Sequence, residues 1–184
     1  MYHIKDSEFL RGKVPMTKEE VRAVSIAKLD MKDTDICLDI GAGTGSVSIE
    51  MARFASKGKV YAIEEKQEAV ELIKENMKKF RVSNIELITG KAPEDLNKVK
   101  ADKIFIGGSG GNLDGIIRYS YEYSNIDGKI VLNFIVLENI FTALESLKKT
   151  GFQNIEITQM MISRNKTIKD FNMMVAENPI YIIS

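Results

Sequence analysis

The chain has 184 residues, a length typical of one domain that can bury a continuous core. Lys plus Arg and Asp plus Glu both number 26, so the net charge is zero, which argues against general nucleic-acid or anionic-membrane binding. With one cysteine, no apolar run near the roughly 20 residues of a transmembrane helix and no signal-like N-terminus, the composition predicts a cytoplasmic protein without disulfides or membrane association.

The first elements in chain order are an arm and a helix. Residues 1–16 show little apolar periodicity and are predicted to form an N-terminal arm. Thr17 and Glu20 have the spacing of a capping box, and Val21, Val24 and Leu29 lie near one helical face. The pattern predicts a leading helix over 17–30, followed by a core over 35–184, all within one domain spanning 1–184.

From residue 35 onward, short β-rich runs alternate with helical patterns. Five strand-like runs cover residues 35–40, 59–64, 85–90, 102–107 and 129–134. Four helical patterns cover Ser46–Ala55, Gln67–Phe80, Leu113–Tyr123 and Glu138–Lys149. This alternation predicts a parallel sheet with helices on both faces.

The alternation breaks near the C-terminus. Residues 152–163 and 170–184 are long strand-like runs, joined by the polar "RNKT" with no helix between them. They are expected to pair antiparallel as a terminal hairpin. The fold predicted is therefore α/β: a Rossmann-like class I methyltransferase with a mostly parallel seven-stranded sheet and a C-terminal antiparallel hairpin.

The stretch "LDIGAGTGSVSIE" closes the first strand and opens a helix, with glycines at Gly41, Gly43 and Gly45. A dinucleotide fingerprint would need its third glycine at position 46, which is Ser46, and no P-loop lysine follows. Asp39 precedes the turn and could accept hydrogen bonds from the turn amides or, through water, from a ligand ammonium. A carboxylate there disfavours a pyrophosphate and favours S-adenosylmethionine.

Two further loops support the same cofactor. Glu64 ends the second strand, where a carboxylate can accept hydrogen bonds from the ribose hydroxyls of an adenosine. Ala92, in the "GKAPED" loop after the third strand, is small and placed to line an adenine pocket. A solvated strand-end charge and an ordinary turn are the alternative interpretations of these two residues.

The loop after the fourth strand, "FIGGSGGNLD", should contact the methyl acceptor. It lacks the Asn/Asp-Pro-Pro-Tyr/Phe motif with which nucleic-acid amine methyltransferases stack a base, and "NPIY" near the C-terminus is interpreted as an edge-strand or bulge proline. The glycine-rich loop offers unhindered backbone amides and room for a bulky flat acceptor. Its predicted acceptor-binding residues are Gly107, Gly108, Ser109, Gly110 and Gly111.

Together, "RGKVPMTKEEVRA", "LDIGAGTGSVSIE", "GKAPE" and "IFIGGSGGNLDGII" resemble the family of decarboxylating cobalt-precorrin-6B carbon-15 methyltransferases of cobalamin biosynthesis, over essentially the whole chain. The resemblance implies methylation of carbon 15 of a cobalt-precorrin, decarboxylation of the acetate on carbon 12, and a homotetramer. It also implies S-adenosylmethionine contacts at Thr17, Gly41, Ala42, Gly43, Thr44, Gly45, Glu64 and Ala92.

An acceptor of this kind carries many carboxylates, which arginine and lysine side chains can bind. The candidates are Arg11, Lys13, Lys18, Arg22, Lys91 and Arg118. Arg11 and Lys18 are preferred because they lie in the family-like arm. His3 is the only histidine, so no protein metal site is expected, and the cobalt belongs to the substrate.

Two other classes of function remain open from the sequence. A tRNA adenine or protein-isoaspartate methyltransferase could share the fold, although a tRNA-binding protein should show an excess of basic residues. A non-catalytic module that binds S-adenosylmethionine would also carry the glycine turn and Glu64. Testing corrinoid, tRNA and peptide acceptors would separate these possibilities.

Overall fold

A computed structural model describes residues 3–184, so the first two residues of the predicted arm lie outside the described residues. The helices are a short 3-10 turn at Asp6–Glu8 and α1 Glu19–Leu29, α2 Ser46–Phe54, α3 Gln67–Phe80, α4 Leu113–Glu122 and α5 Leu137–Thr150. The strands are β1 Ile36–Ile40, β2 Lys59–Glu64, β3 Ile85–Thr89, β4 Ala101–Ile106, β5 Ser124–Phe134, β6 Ile157–Met160, β7 Ser163–Ile168, β8 Phe171–Ala176 and β9 Ile180–Ile183. None of the helices in this described part is long and apolar enough to cross a membrane.

The predicted mostly parallel sheet of seven strands is confirmed, in the order β3-β2-β1-β4-β5-β9-β6. The first five strands are all parallel, and two apolar clusters of buried side chains pack on the sheet. Chain order reverses between β1 and β4, which makes their carboxyl ends the topological switch point where open α/β sheets bind ligands. The loops that follow these two strands therefore lie side by side.

The C-terminal hairpin prediction is correct in its pairing and wrong in its connection. β9 inserts antiparallel between β5 and β6, so both runs join the main sheet. The "RNKT" residues are not a turn but part of β7, which pairs with β8 as a separate two-stranded ribbon. Polar residues fit a strand here because the ribbon is largely exposed. The strand after Pro179, β9, is an interior strand and not an edge strand. Pro179 immediately precedes it, so the missing N–H of the proline lies outside the paired residues.

The predicted capping box at the start of the leading helix is wrong. Helix α1 begins at Glu19, with Lys18 at the N-cap position and no side-chain cap. The carboxylates of the first turn make tertiary contacts instead: Glu19 accepts a hydrogen bond from the Asp6 amide at 2.9 Å, and Glu20 pairs with Arg164 of the ribbon. Pairing with distant segments has displaced the local cap that the sequence spacing indicated.

The N-terminal arm packs against the core. Ile4 and Phe9 are buried, and the fully buried guanidinium of Arg22 holds the arm through the backbone carbonyl of Ile4 and the carboxylate of Asp6. Glu50, also fully buried, lies 3.1 Å from the Arg22 Nε atom and neutralises its charge. A buried guanidinium needs such a partner, since an unpaired buried charge is strongly destabilising.

Candidate active site

A cavity of about 460 Å³ opens at the carboxyl ends of β1 and β4. Its volume lies within the range typical of small-molecule and cofactor sites. It extends from the arm and the glycine turn, past the end of β2, to the glycine-rich loop after β4 and the end of β5. One cavity therefore joins the two regions that the sequence assigns to cofactor and acceptor.

Most of the sequence-predicted site residues line this cavity. On the cofactor side they are Thr17, Gly41, Ala42, Gly43, Thr44, Glu64 and Ala92. On the acceptor side they are Lys18, Gly107, Gly108, Ser109 and Gly110. Among the preferred site residues, Asp39, Gly45, Arg11 and Gly111 are not part of the lining.

The three glycines of the turn have positive φ angles of 71°, 58° and 76°, which favour glycine. A Cβ at Gly41 would lie 2.7 Å from the carbonyl oxygen of Gly108, so the loops after β1 and β4 approach backbone to backbone. A Cβ at Gly43 would meet the Pro15 carbonyl oxygen at 3.1 Å, which places the arm over the turn. At Gly45 the neighbour would be the Ile73 side chain, so this third glycine serves helix packing rather than the cavity.

Glu64 orients its carboxylate with two backbone amides. Its Oε2 atom accepts from the Gly43 amide at 2.9 Å, and its Oε1 atom accepts from the Lys66 amide at 3.0 Å. The residue is only 8% exposed, yet it lines the cavity. Because an ionised carboxylate has about four acceptor positions, Glu64 keeps capacity for ligand hydroxyls while already fixed in place.

Asp39 does not bind the turn amides, so that part of its predicted role is wrong. Its Oδ2 atom accepts from the Ser48 hydroxyl on α2, and its Oδ1 atom has no hydrogen-bond partner among the described residues. Complete burial raises the pKa of the carboxyl to about 7, and the Ser48 hydrogen bond acts in the opposite direction. The water-mediated contact with a ligand ammonium stays a prediction.

Thr44 is the second residue of this region with an unpaired buried atom. Its Oγ1 lacks a hydrogen-bond partner within residues 3–184, and the residue lines the cavity. A buried hydroxyl without a partner is costly, so a polar ligand group at this position would be favoured. The turn therefore combines close backbone contacts at Gly41 and Gly43 with an unpaired hydroxyl at Thr44, which suits the polar part of S-adenosylmethionine.

The glycine-rich loop is anchored at both ends. The Gly107 amide donates to the Ile40 carbonyl at 2.9 Å, and Asn112 caps helix α4 by accepting from the Gly115 amide. Gly110 and Gly111 have positive φ angles. A Cβ at Gly108 would have no neighbour closer than 3.9 Å, so this position is open towards space rather than packed.

The structure divides the basic residues proposed to bind acceptor carboxylates into those that line the cavity and those that do not. Lys18 and Lys91 line the cavity, whereas Arg11 and Lys13 are exposed outside it. Arg22 is not available for an acceptor carboxylate, because its guanidinium is buried with Glu50. Arg118 pairs with Asp114 on the surface of α4.

Sequence reasoning missed the floor contributed by the end of β5 and by β9, namely Asn133, Phe134, Ile135 and Ile180. The first three could have been inferred, since the carboxyl end of β5 lies on the same edge of the sheet as β1 and β4. Ile180 had no sequence signal, because its place depends on the insertion of β9.

The described lining contains no histidine, cysteine or tyrosine. His3 instead contacts Glu50 at 2.9 Å, and Cys37 is buried in β1, where desolvation raises the pKa of its thiol. No cluster of residues suited to a metal ion occurs in the part of the chain that the structure describes. The arrangement can position and desolvate ligands, but it offers few groups for acid–base catalysis.

Comparisons with known proteins agree with this geometry. A family model described as a precorrin methyltransferase domain matches residues 8–184. A protein of Saccharolobus solfataricus named probable cobalt-precorrin-6B C(15)-methyltransferase (decarboxylating) is 43% identical, covering 98% of this chain and 94% of its own. The crystal structure of a Geobacter metallireducens precorrin-6y C5,15-methyltransferase is similar with a TM-score of 0.93 and 37% identity, over 98% of this chain and 95% of that one. A Methanobacterium thermoautotrophicum crystal structure called precorrin 8W decarboxylase is similar with a TM-score of 0.91 and 34% identity, over 98% of this chain and 97% of that one.

Proposed function

The chain belongs to the precorrin methyltransferase family, and from this premise we propose that it methylates carbon 15 of a cobalt-precorrin and decarboxylates the acetate on carbon 12. The protein is a methyltransferase of the class I fold. The observation that carries the proposal is the single cavity that connects the glycine turn and Glu64 to the glycine-rich loop.

The methyl donor is S-adenosylmethionine in this proposal, and it supplies an electrophilic methyl group when bound. The backbone of Gly41 to Thr44 would hold its amino-acid part, with the Thr44 hydroxyl as an added donor or acceptor. Glu64 would accept from the ribose hydroxyls and Ala92 would line the adenine pocket. Thr17, at the end of the arm, would cover one side. The place of these residues in the cavity lining and the unpaired Thr44 hydroxyl support this assignment.

The acceptor in this proposal is a flat macrocycle that carries several carboxylates. The open position at Gly108 leaves room for such a ring, and Lys18 and Lys91 supply cations at the cavity wall. The ring itself provides the nucleophilic carbon and, in the decarboxylation, accepts the electron pair released with carbon dioxide. The residues named here orient the acceptor and exclude water, and such positioning can supply a large part of a rate enhancement.

A homotetramer in the cytoplasm completes the proposal. The β7–β8 ribbon exposes apolar side chains, with Phe171 73% and Met174 66% exposed, and β6 has one unpaired edge. Exposed edges and apolar surface of this kind are commonly covered by another subunit. Light scattering should report a mass near four times 20.7 kDa, and a stable monomer would contradict the assembly.

The test is transfer of a labelled methyl group from S-adenosylmethionine to three acceptors: a cobalt-precorrin mixture, tRNA and an isoaspartyl peptide. Label should enter the corrinoid alone. Gly43→Val, which forces a side chain against the Pro15 carbonyl, is the inactive control. Transfer to tRNA or peptide would favour those rival functions, and cofactor binding without transfer to any acceptor would favour a non-catalytic module.

A further inference from the structure

The part of the arm that crosses the glycine turn is held at both of its ends. At one end, the Arg22 Nη1 atom donates to the Thr17 carbonyl at 2.6 Å. At the other end, Leu10 is bound by the side chain of Asn76 on α3. Between these points lies Pro15, whose carbonyl faces Gly43. The segment from Leu10 to Thr17 thus forms a strap across the turn, anchored at Thr17 and at Leu10.

The Asn76 side chain connects three segments of the chain. Its Oδ1 atom accepts from the Leu10 amide at 2.9 Å, and its Nδ2 atom donates to the Leu10 carbonyl at 2.7 Å. The same Nδ2 atom donates to the Thr44 carbonyl of the glycine turn at 3.0 Å. Asn76 is fully buried but does not line the cavity. One side-chain amide, located outside the cavity, therefore fixes the distance between Leu10 of the strap and Thr44 of the turn.

We infer that Asn76 is a positioning residue for the methyl donor, which holds the strap against the glycine turn so that both faces of the donor pocket are in place before binding. The inference rests on the proposed function. The residues that act on the donor are those of the strap and the turn, and Asn76 acts through them. No other side-chain hydrogen bond described here links Leu10 to the turn.

The physical basis is preorganisation. A pocket wall that is already ordered avoids the entropic cost of ordering the strap when the ligand binds. Without Asn76, the buried Phe9 and the contact at Thr17 still hold the two ends of the strap, but its link to the turn at Leu10 is lost, so Val14 to Met16 would be less ordered before binding. The substitution removes three neutral hydrogen bonds, and because binding must then supply part of the order that they gave the strap, donor affinity should fall by roughly 5- to 30-fold.

Asn84 provides a matched control. Its Nδ2 atom also donates to two backbone carbonyls, those of Ala52 at 3.0 Å and Ala55 at 2.8 Å, at the far end of α2. Asn84 does not line the cavity. Asn84→Ala should thus lower the stability of the fold by a similar mechanism without loosening the strap.

The experiment measures binding of S-adenosylhomocysteine by calorimetry, together with urea unfolding, for wild type, Asn76→Ala and Asn84→Ala. We expect both variants to lose stability, but only Asn76→Ala to lose affinity. Trypsin supplies a second readout, because Arg11 and Lys13 lie in the strap and are exposed. Cleavage there should be faster in Asn76→Ala than in Asn84→Ala, and bound S-adenosylhomocysteine should slow it in the wild type.

Asn76→Ser, which removes the amide but keeps one small polar group and adds no buried charge, replaces the alanine variant if the latter does not fold. Equal affinity in the Asn76 and Asn84 variants, or unchanged cleavage of the strap, overturns the positioning role. Failure of the wild type to bind S-adenosylhomocysteine contradicts the proposed function instead, so the two failures are distinguishable.

Discussion

Asp39 should make the stability of the protein fall as the pH rises from about 4 to about 7. The carboxyl is fully buried, and its pKa is raised from 3.8 to about 7. Between these two pH values the folded protein keeps a proton that the unfolded chain has lost, so the stabilising contribution is complete below about pH 4 and lost above about pH 7. A shift of about 3 units corresponds to about 4 kcal/mol at 1.36 kcal/mol per unit.

The assay is urea unfolding of wild type and Asp39→Asn over the range from about pH 4 to about pH 8. The asparagine variant cannot titrate at this position, so the stability of the wild type relative to the variant should fall by about 4 kcal/mol across the series. Ser48→Ala removes the hydroxyl that stabilises the charged form, so it should raise the pKa further and move the loss to higher pH. Parallel stability curves for wild type and Asp39→Asn would refute the reasoning.

Two further predictions concern the cavity. Glu64→Ala should weaken binding of S-adenosylhomocysteine by about 1.5–3 kcal/mol, the value of hydrogen bonds to a charged group. Glu75→Ala serves as control, because Glu75 is exposed on α3 and does not line the cavity. Equal calorimetric affinities of the two variants would contradict the ribose role. Gly108→Leu should abolish methyl transfer to the corrinoid, because the new side chain would fill the open space proposed for the acceptor. Donor affinity should stay within about twofold, because a Cβ at this position meets no protein atom closer than 3.9 Å. Normal turnover in Gly108→Leu would place the acceptor elsewhere.

The part of the cavity lining that could be predicted from the sequence depends on short-range patterns. Gly41 and Gly43 follow directly on a strand, and the lining by Glu64 and Ala92 follows from the rule that parallel strands present their carboxyl ends on one edge. The parallel sheet was also predictable from a short-range pattern, the alternation of strands and helices along the chain.

The predictions that proved wrong concern residues whose role depends on tertiary contacts rather than on the local sequence. Nothing local distinguishes an arginine that faces solvent from one that faces Glu50, so the sequence alone cannot separate Arg22 from cations that could bind the acceptor. Glu20 had the spacing of a cap, but the carboxylate pairs with Arg164, which is far away in the chain. The polar residues of β7 resemble a turn in the sequence, and only the pairing with β8 shows that they form a strand.

The most direct test of the proposed function is the mass of the corrinoid product. Wild-type protein would be incubated with S-adenosylmethionine carrying a labelled methyl group and with a cobalt-precorrin that retains the acetate on carbon 12. The account predicts a product that has gained one labelled methyl group and lost one carbon dioxide, and no such product with Gly43→Val. A corrinoid that remains unmethylated under conditions where the wild type binds the donor would contradict it.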